Sequence, residues 1–259
     1  MAVVRRDLQL ALSYRIPFAT QLLAAFFSLT LFYYLSRLVN VSSFQSADAY
    51  YAFAVIGLII LQVLNSTLQT PPATLRQELV SGTFERIVAS PFGPVGTVMA
   101  MLVYPFVHAL VTGLLMICFA GIVFGVDISW DTVLLAVPLF ALSALAFAPF
   151  GLMLLGVVLI AKQVMAGATW IVAGIALVSG LYFPTTLLPD WIEWTSDVQP
   201  FTAAVDLLRH VIVGTPLRDP AWVDVAKLIG FAAFLMPLAV LVVDRAVRVS
   251  RRRGTLIEY

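Results

Sequence analysis

Apolar residues fill this chain in long, nearly uninterrupted blocks rather than in the narrow stripes of a water-soluble core. A helix needs about 20 such residues to cross about 30 Å of hydrocarbon. Six blocks qualify, at roughly Pro17 to Val39, Tyr50 to Thr70, Thr97 to Gly125, Val133 to Ala161, Val164 to Phe183, and Ala221 to Val243. The pattern predicts an all-α integral membrane protein of six transmembrane helices, with residues 1–259 as one membrane domain. The first block is longer than a signal-peptide core and no small-x-small site precedes Asn40, so it is expected to stay in the membrane.

The connections carry the information. Residues 1–16 alternate cationic and apolar positions and suit a helix lying in the headgroup layer, with Arg5, Arg6 and Arg15 toward phosphates. The stretch 71–94 is the one long connection with paired charges and a helical pattern. Val80, Phe84, Ile87 and Val88 recur at three- and four-residue steps, while Arg76, Glu78, Glu85 and Arg86 fall among exposed positions. Gly82 is placed to end one helical segment in a left-handed turn, Thr83 to cap the next, and Ser90-Pro91 to stop it. Between the fifth and sixth blocks, residues 184–213 are too polar to span and too apolar for a free loop. Trp191 and Trp194 suit the interface. Phe201, Ala204, Val205, Leu208, Val211 and Ile212 form an apolar stripe, with Asp206 and Arg209 on the other face. One or two short helices dipping into the outer leaflet are expected there.

Inside the blocks, polar positions stand out. Gln62, Asn65, Ser66 and Gln69 fall on one face of the second span, and amides facing lipid would go unsatisfied. The stripe should therefore meet another helix or line a path. His108 is intramembrane, and no carboxylate lies at its depth to act as a relay partner, so a neutral imidazole bonded to a neighbouring helix is expected. Pro138 and Pro149 suggest a kinked or interrupted fourth span, and Gly121 and Gly125 permit close helix approach. Phe32, Tyr33, Tyr34, Tyr50 and Tyr51 gather aromatic rings at one membrane level.

Composition agrees: 61% apolar and 11% charged residues, with a mean hydropathy of +1.00, lie far from globular usage, where charged residues make up about 25%. Positive residues resist translocation. With both termini cytoplasmic, the inner segments hold eleven Lys and Arg and the outer ones hold Arg37, Arg209, Arg218 and Lys227. This orientation in the cell membrane is preferred and puts 71–94 in the cytoplasm. Cys118 is the single cysteine, so no intrachain disulfide forms. No glycine-rich phosphate loop with its lysine, no nucleophile elbow and no zinc-helix motif occurs. The chain is thus expected to be no enzyme, to hold no metal or cofactor and to bind no nucleic acid. Acidic residues are missing at membrane depth and no repeat relates the halves, which weighs against an ion-coupled carrier.

Two places resemble the ABC-2 type permease family, the membrane subunits of ABC exporters. Gly82-Thr83-Phe84-Glu85-Arg86-Ile87-Val88-Ala89-Ser90-Pro91 is similar to its glycine-threonine-leucine-glutamate stretch ahead of a serine-proline, with Phe84 where leucine is commoner. Ser179-Gly180, Phe183-Pro184, Leu188-Pro189 and Pro200-Phe201-Thr202, with Asp206 and Arg209, resemble its outer re-entrant segment. The resemblance implies a half-transporter. Two permease chains would pair, as a homo- or heterodimer, and residues 82–90 would form a coupling helix pressed into a separate ATP-binding cassette subunit that binds ATP and magnesium. Residues 184–213 would cap the path as an outer gate. Hydrophobic drugs, lipids, lipid-linked glycans and polysaccharides are the implied cargoes, with an amphipathic or hydrophobic one preferred and a glycan as the alternative. An integral-membrane enzyme would need a polar constellation that is not assembled here, and a scaffold would not need the charged 82–90 helix.

Overall fold

The computed structural model describes residues 15–38, 44, 46–84, 93–161 and 165–252. Among them every regular element is a helix. They are α1 (Arg15–Leu38), α2 (Ala47–Leu64), a π-helical segment (Asn65–Gln69), α3 (Thr70–Val80), α4 (Gly93–Met101), α5 (Val103–Phe124), α6 (Ala136–Ala161), α7 (Met165–Val178), α8 (Asp190–Val198), α9 (Pro200–Val213) and α10 (Ala221–Arg252). Single 3-10 turns at Val133–Leu135 and Thr185–Leu187 precede α6 and α8.

Five helices are long and apolar enough to cross a membrane: Phe18–Leu38, Ala47–Val80, Gly96–Phe124, Val133–Ile160 and Ala221–Ser250. The fifth expected span, 164–183, is a 14-residue α7, about 21 Å at 1.5 Å per residue and short of a bilayer core. Its chain leaves the helix at Ser179 and turns at Gly180, whose φ of 73° is left-handed. The described residues thus hold five helices of spanning length and one shorter apolar helix.

The second span differs from expectation at its other end. It does not stop near Thr70 but runs on as one 34-residue rod to Val80. A proline inside an α-helix removes a hydrogen bond and drives its ring into the carbonyl four residues earlier. Here the wider π turn of Asn65–Gln69 lies just before Pro71 and Pro72, which occupy the opening turn of α3. The rod therefore survives two prolines. The fourth span is likewise uninterrupted: α6 continues through Pro149, and Pro138 falls in its first turn, where no intrahelical donor is lost.

Two apolar clusters hold the helices together. The larger joins α1, α2, α5, α6 and α9 around Leu29, Ile59, Ile60, Met116, Phe140, Phe147 and Phe201. The smaller lies at one pole and joins α3, α4, α6 and α10 through Leu75, Leu79, Phe84, Val98, Leu152 and Val243. The helices approach closely where side chains are missing. A Cβ on Gly57 would sit 1.9 Å from the Leu181 carbonyl oxygen, and one on Gly151 would sit 2.0 Å from that of Thr67. Gly121 is used within the chain, since its Cβ would fall 2.5 Å from Ile128, while Gly125 ends α5 at a φ of 64°. Outward faces remain apolar, with Leu23, Phe27 and Leu31 on α1 and Trp222 and Phe234 on α10 exposed.

Candidate functional site: a polar cavity between α1, α2 and α5

All four members of the amide stripe reach one place. Gln62, Asn65, Ser66 and Gln69 line a cavity of about 300 Å³ together with Gln21 of α1 and Tyr104 and His108 of α5. The π segment contributes to this arrangement, because the extra residue in its turn shifts the phase of the stripe, and Asn65, Ser66 and Gln69 all lie within it. Gln69 Nε2 donates to Asn65 Oδ1 at 2.6 Å, which fixes both amides on the cavity wall. A second cavity of about 240 Å³ shares Gln21, Gln62 and Asn65 and extends toward Ser28 and Met116.

His108 is 8% exposed, and its Nε2 has no hydrogen-bond partner. The expected bond from the ring to a neighbouring helix is not made at this nitrogen. Phe18 meets the imidazole edge-on at 5.6 Å between centroids, and Tyr104 packs against it at 5.8 Å. Apolar rings on both flanks leave the nitrogen without an acceptor or donor, so its capacity is open to whatever enters the cavity. No Asp, Glu, Lys or Arg is among the described lining residues, and no group of metal-ligating side chains occurs among the described residues. The cavity can exchange neutral hydrogen bonds and offers no ion pair.

On the far side of Pro105 lies a cleft of about 350 Å³ with a different lining, including Leu102, Val103, Phe106, Ala148 and Met236. Pro105 belongs to both walls. The π segment divides them as well, with Ser66 toward the polar side and Thr67 toward the apolar side.

The pole beyond α3 contains the described part of the expected coupling helix. Gly82, Thr83 and Phe84 are described, and Glu85, Arg86, Ile87, Ser90 and Pro91 lie outside the described residues. Gly82 has a φ of 68°, as its position implies. The Thr83 N–H donates to the Glu78 carbonyl at 3.1 Å and the Gly82 N–H to that of Leu79 at 3.2 Å, which closes α3 with a Schellman turn. The Thr83 hydroxyl reaches back to the Glu78 carboxylate. Phe84, expected to meet a partner's groove, is 1% exposed and sits in the chain's own smaller cluster. Val80, expected on the same buried stripe, is 62% exposed. Residues 1–14 of the expected interfacial helix also lie outside the described residues.

At the opposite pole, Asp206 and Arg209 part company. Arg209, expected on the polar face of its helix, is 5% exposed. Its guanidinium donates to the carbonyls of Gly180 at 2.8 Å, Phe53 at 3.3 Å and Leu181 at 3.4 Å, and lies 3.4 Å from the centroid of the Phe53 ring. Carbonyl acceptors and a π face compensate the burial of the charge. Asp206 is half-buried and 4.0 Å from Arg218; desolvation raises its carboxyl above the usual range, against the pull of Arg209 and Arg218. The apolar stripe of α9 is buried as expected, with Phe201, Ala204, Val205, Leu208 and Ile212 in the core. The last carbonyls of α9 are capped from a distant connection: Ser129 N–H donates to Ile212 at 2.9 Å and Thr132 Oγ1 to Val211 at 2.5 Å. Pro184 and Pro189 flank the 3-10 turn and start α8, Pro200 opens α9, and Phe183 lies in the turn before Pro184.

Five apolar helices of spanning length packed around polar cavities define a multi-pass membrane protein. Residues 1–213 match the family described as ABC-2 type transporter, and the chain belongs to that family, whose members are transmembrane transport components. Among its relatives, Nodulation protein J of Rhizobium meliloti (strain 1021) is 24% identical over 170 residues, covering 65% of this chain and 64% of that protein. Nodulation protein J of Sinorhizobium fredii is 25% identical over 168 residues, covering 64% and 63%. That of Rhizobium leguminosarum bv. trifolii is 29% identical over 90 residues, covering 35% and 34%. The chain thus matches just under two thirds of the length of the first two relatives.

Proposed function

We propose that this chain is the membrane half of an ATP-driven exporter and that Gln62, Asn65, Ser66 and Gln69 line its path. A separate ATP-binding cassette subunit supplies ATP hydrolysis by contact with the connection at 82–90, and a second permease chain completes the transporter. The chain sits in the cell membrane with both termini in the cytoplasm, and residues 184–213 close the path on the outer side. The cargo is amphipathic. The observation that carries this reading is the 300 Å³ polar cavity held inside helices otherwise built of apolar residues, in a chain of this transporter family. Buried amides and an imidazole are costly to keep within a bilayer unless they meet a ligand or water.

The test replaces Glu85 and Arg86 together with alanine in the complex of permease and cassette subunits reconstituted in vesicles. Export is expected to be lost while ATP hydrolysis and membrane insertion persist. Unchanged export would count against energy transfer through this connection.

A further inference from the structure

We propose that the chain is jointed: the body built on the smaller apolar cluster swings against the body built on the larger one, about a hinge where every helical rod that joins them carries proline. The clusters mark the two bodies. Along α2 and α3 the buried members of the larger cluster end at Leu68 and those of the smaller begin at Leu75, with Pro71 and Pro72 between. Across α4 and α5 the smaller ends at Val98 and the larger begins at Ala109, with Pro105 between. On α10 Ala232 belongs to the larger and Ala239 to the smaller, on either side of Pro237. On α6 Phe147 and Leu152 flank Pro149 in the same way, and Leu154 alone returns to the larger cluster.

A proline removes the backbone donor for the carbonyl four residues earlier, here those of Met101, Leu145 and Ala233, and sharp helix bends gather at such points. In the first rod the π turn of Asn65–Gln69 interrupts the regular ladder as well. The crossings share one level, because the apolar cleft of about 350 Å³ touches each of them through Thr67, Pro105, Ala148 and Met236. The same cleft parts the bodies, with Phe106 and Ala144 packed on the larger cluster and Met99 and Leu102 on the smaller. A close-packed boundary resists bending, since movement overpacks one side. Here a bend that narrows the cleft meets space. The pivot is the backbone contact of α6 with the π turn, where a Cβ on Gly151 would sit 2.0 Å from the Thr67 carbonyl oxygen.

The experiment places pairs of spin labels on the full chain in phosphatidylcholine nanodiscs, in a Cys118→Ser background, and reads distance distributions by pulsed electron resonance. Val80→Cys and Leu241→Cys mark the smaller body, Ile122→Cys and Trp222→Cys the larger, and all four positions are exposed. Val80 lies about 20 Å beyond Thr67 at 1.5 Å per residue, so a bend of about 10° carries it about 3–4 Å. The pairs that cross the hinge, Val80 with Ile122 and Leu241 with Trp222, should give distributions about twice as wide as Val80 with Leu241 and Ile122 with Trp222. The same four sites serve both sets, so label mobility cancels. Pro237 is exposed, and Pro237→Ala restores a backbone donor without disturbing the core, so the pair of Leu241 with Trp222 should narrow to the width found within one body. Ala148→Leu puts bulk into the cleft and should do the same for Val80 with Ile122. Crossing pairs as narrow as the others in the parent would overturn the hinge, and so would either variant keeping its broad pair while eluting from gel filtration like the parent. Should a variant fail to fold, the parent widths decide. With no ATPase or cargo present, failure here leaves the coupling reading standing, and failure of the Glu85/Arg86 test leaves the hinge standing.

Discussion

Gly57→Ala adds one methyl where α2 touches the backbone of the turn after α7. That methyl would lie 1.9 Å from the Leu181 carbonyl oxygen, and real Cβ contacts do not fall below 3.0 Å, so backbone must move by about 1.1 Å or more. Leu181 is fully buried, and the neighbouring Gly180 carbonyl receives the Arg209 guanidinium at 2.8 Å, so the movement also strains that bond. Overpacking of this kind costs about 1–3 kcal/mol, against a helix-propensity gain of about 0.5–1 kcal/mol for replacing glycine. The net loss is about 1–2 kcal/mol. At about 2–4 °C per kcal/mol for a chain of this length, the melting temperature should fall by about 2–8 °C. Thermal unfolding in mild detergent, followed by fluorescence-detected gel filtration, measures this. Gly174→Ala is the control, because nothing lies within 4 Å of its added methyl, and it should melt at or slightly above the parent. If Gly57→Ala melts with Gly174→Ala, the close approach of α2 to the turn at Leu181 is wrong.

Other outcomes follow from the two poles. Phe84→Ala leaves a void among Leu75, Leu79, Val98 and Val243 and should destabilise the protein by about 3–5 kcal/mol, seen in the same melting assay; a neutral effect would place the ring at the surface. Asp206 has a carboxyl raised by burial, so its neutral form is favoured in the fold, and stability from this group is present at low pH and lost as pH rises through its native value. Asp206→Asn should therefore raise the melting temperature at pH 7 and by progressively less toward pH 4, and a loss at pH 7 would contradict that sign. Asp197 is exposed on α8, and a cysteine there, in a Cys118→Ser background, should react with an impermeant thiol reagent added outside intact cells; reaction only after permeabilisation would reverse the orientation.

The cavity was half legible in the sequence. Gln62, Asn65, Ser66 and Gln69 share a face by helical spacing, and their need for partners in an apolar run points to a protein or water contact. That Gln21 and His108 meet them depends on how three helices pack, which spacing along one chain does not encode. Gln21 carries a signal of the same kind, a lone amide in the apolar first span. The phase error at Val80 and Phe84 has a local cause. A single periodic stripe does not continue across Gly82, because the Schellman turn there breaks the helical phase, so Leu75 and Leu79 face the core while Val80 faces out and Phe84 returns from beyond the turn. The run past Pro71-Pro72 was hidden by a π turn that composition does not announce. A cation is expected at a wet face; for Arg209 three carbonyls and the Phe53 ring, all from other elements, make the dry one acceptable.

Phe84 is buried in one cluster with residues of α3, α4, α6 and α10. α10 runs from that cluster at Val243, past Pro237, to the opposite pole at Asp224, whose carboxylate is 3.4 Å from Lys227. Phe84 thus ties the end of α3 to the same helix that packs on α9 at the opposite pole.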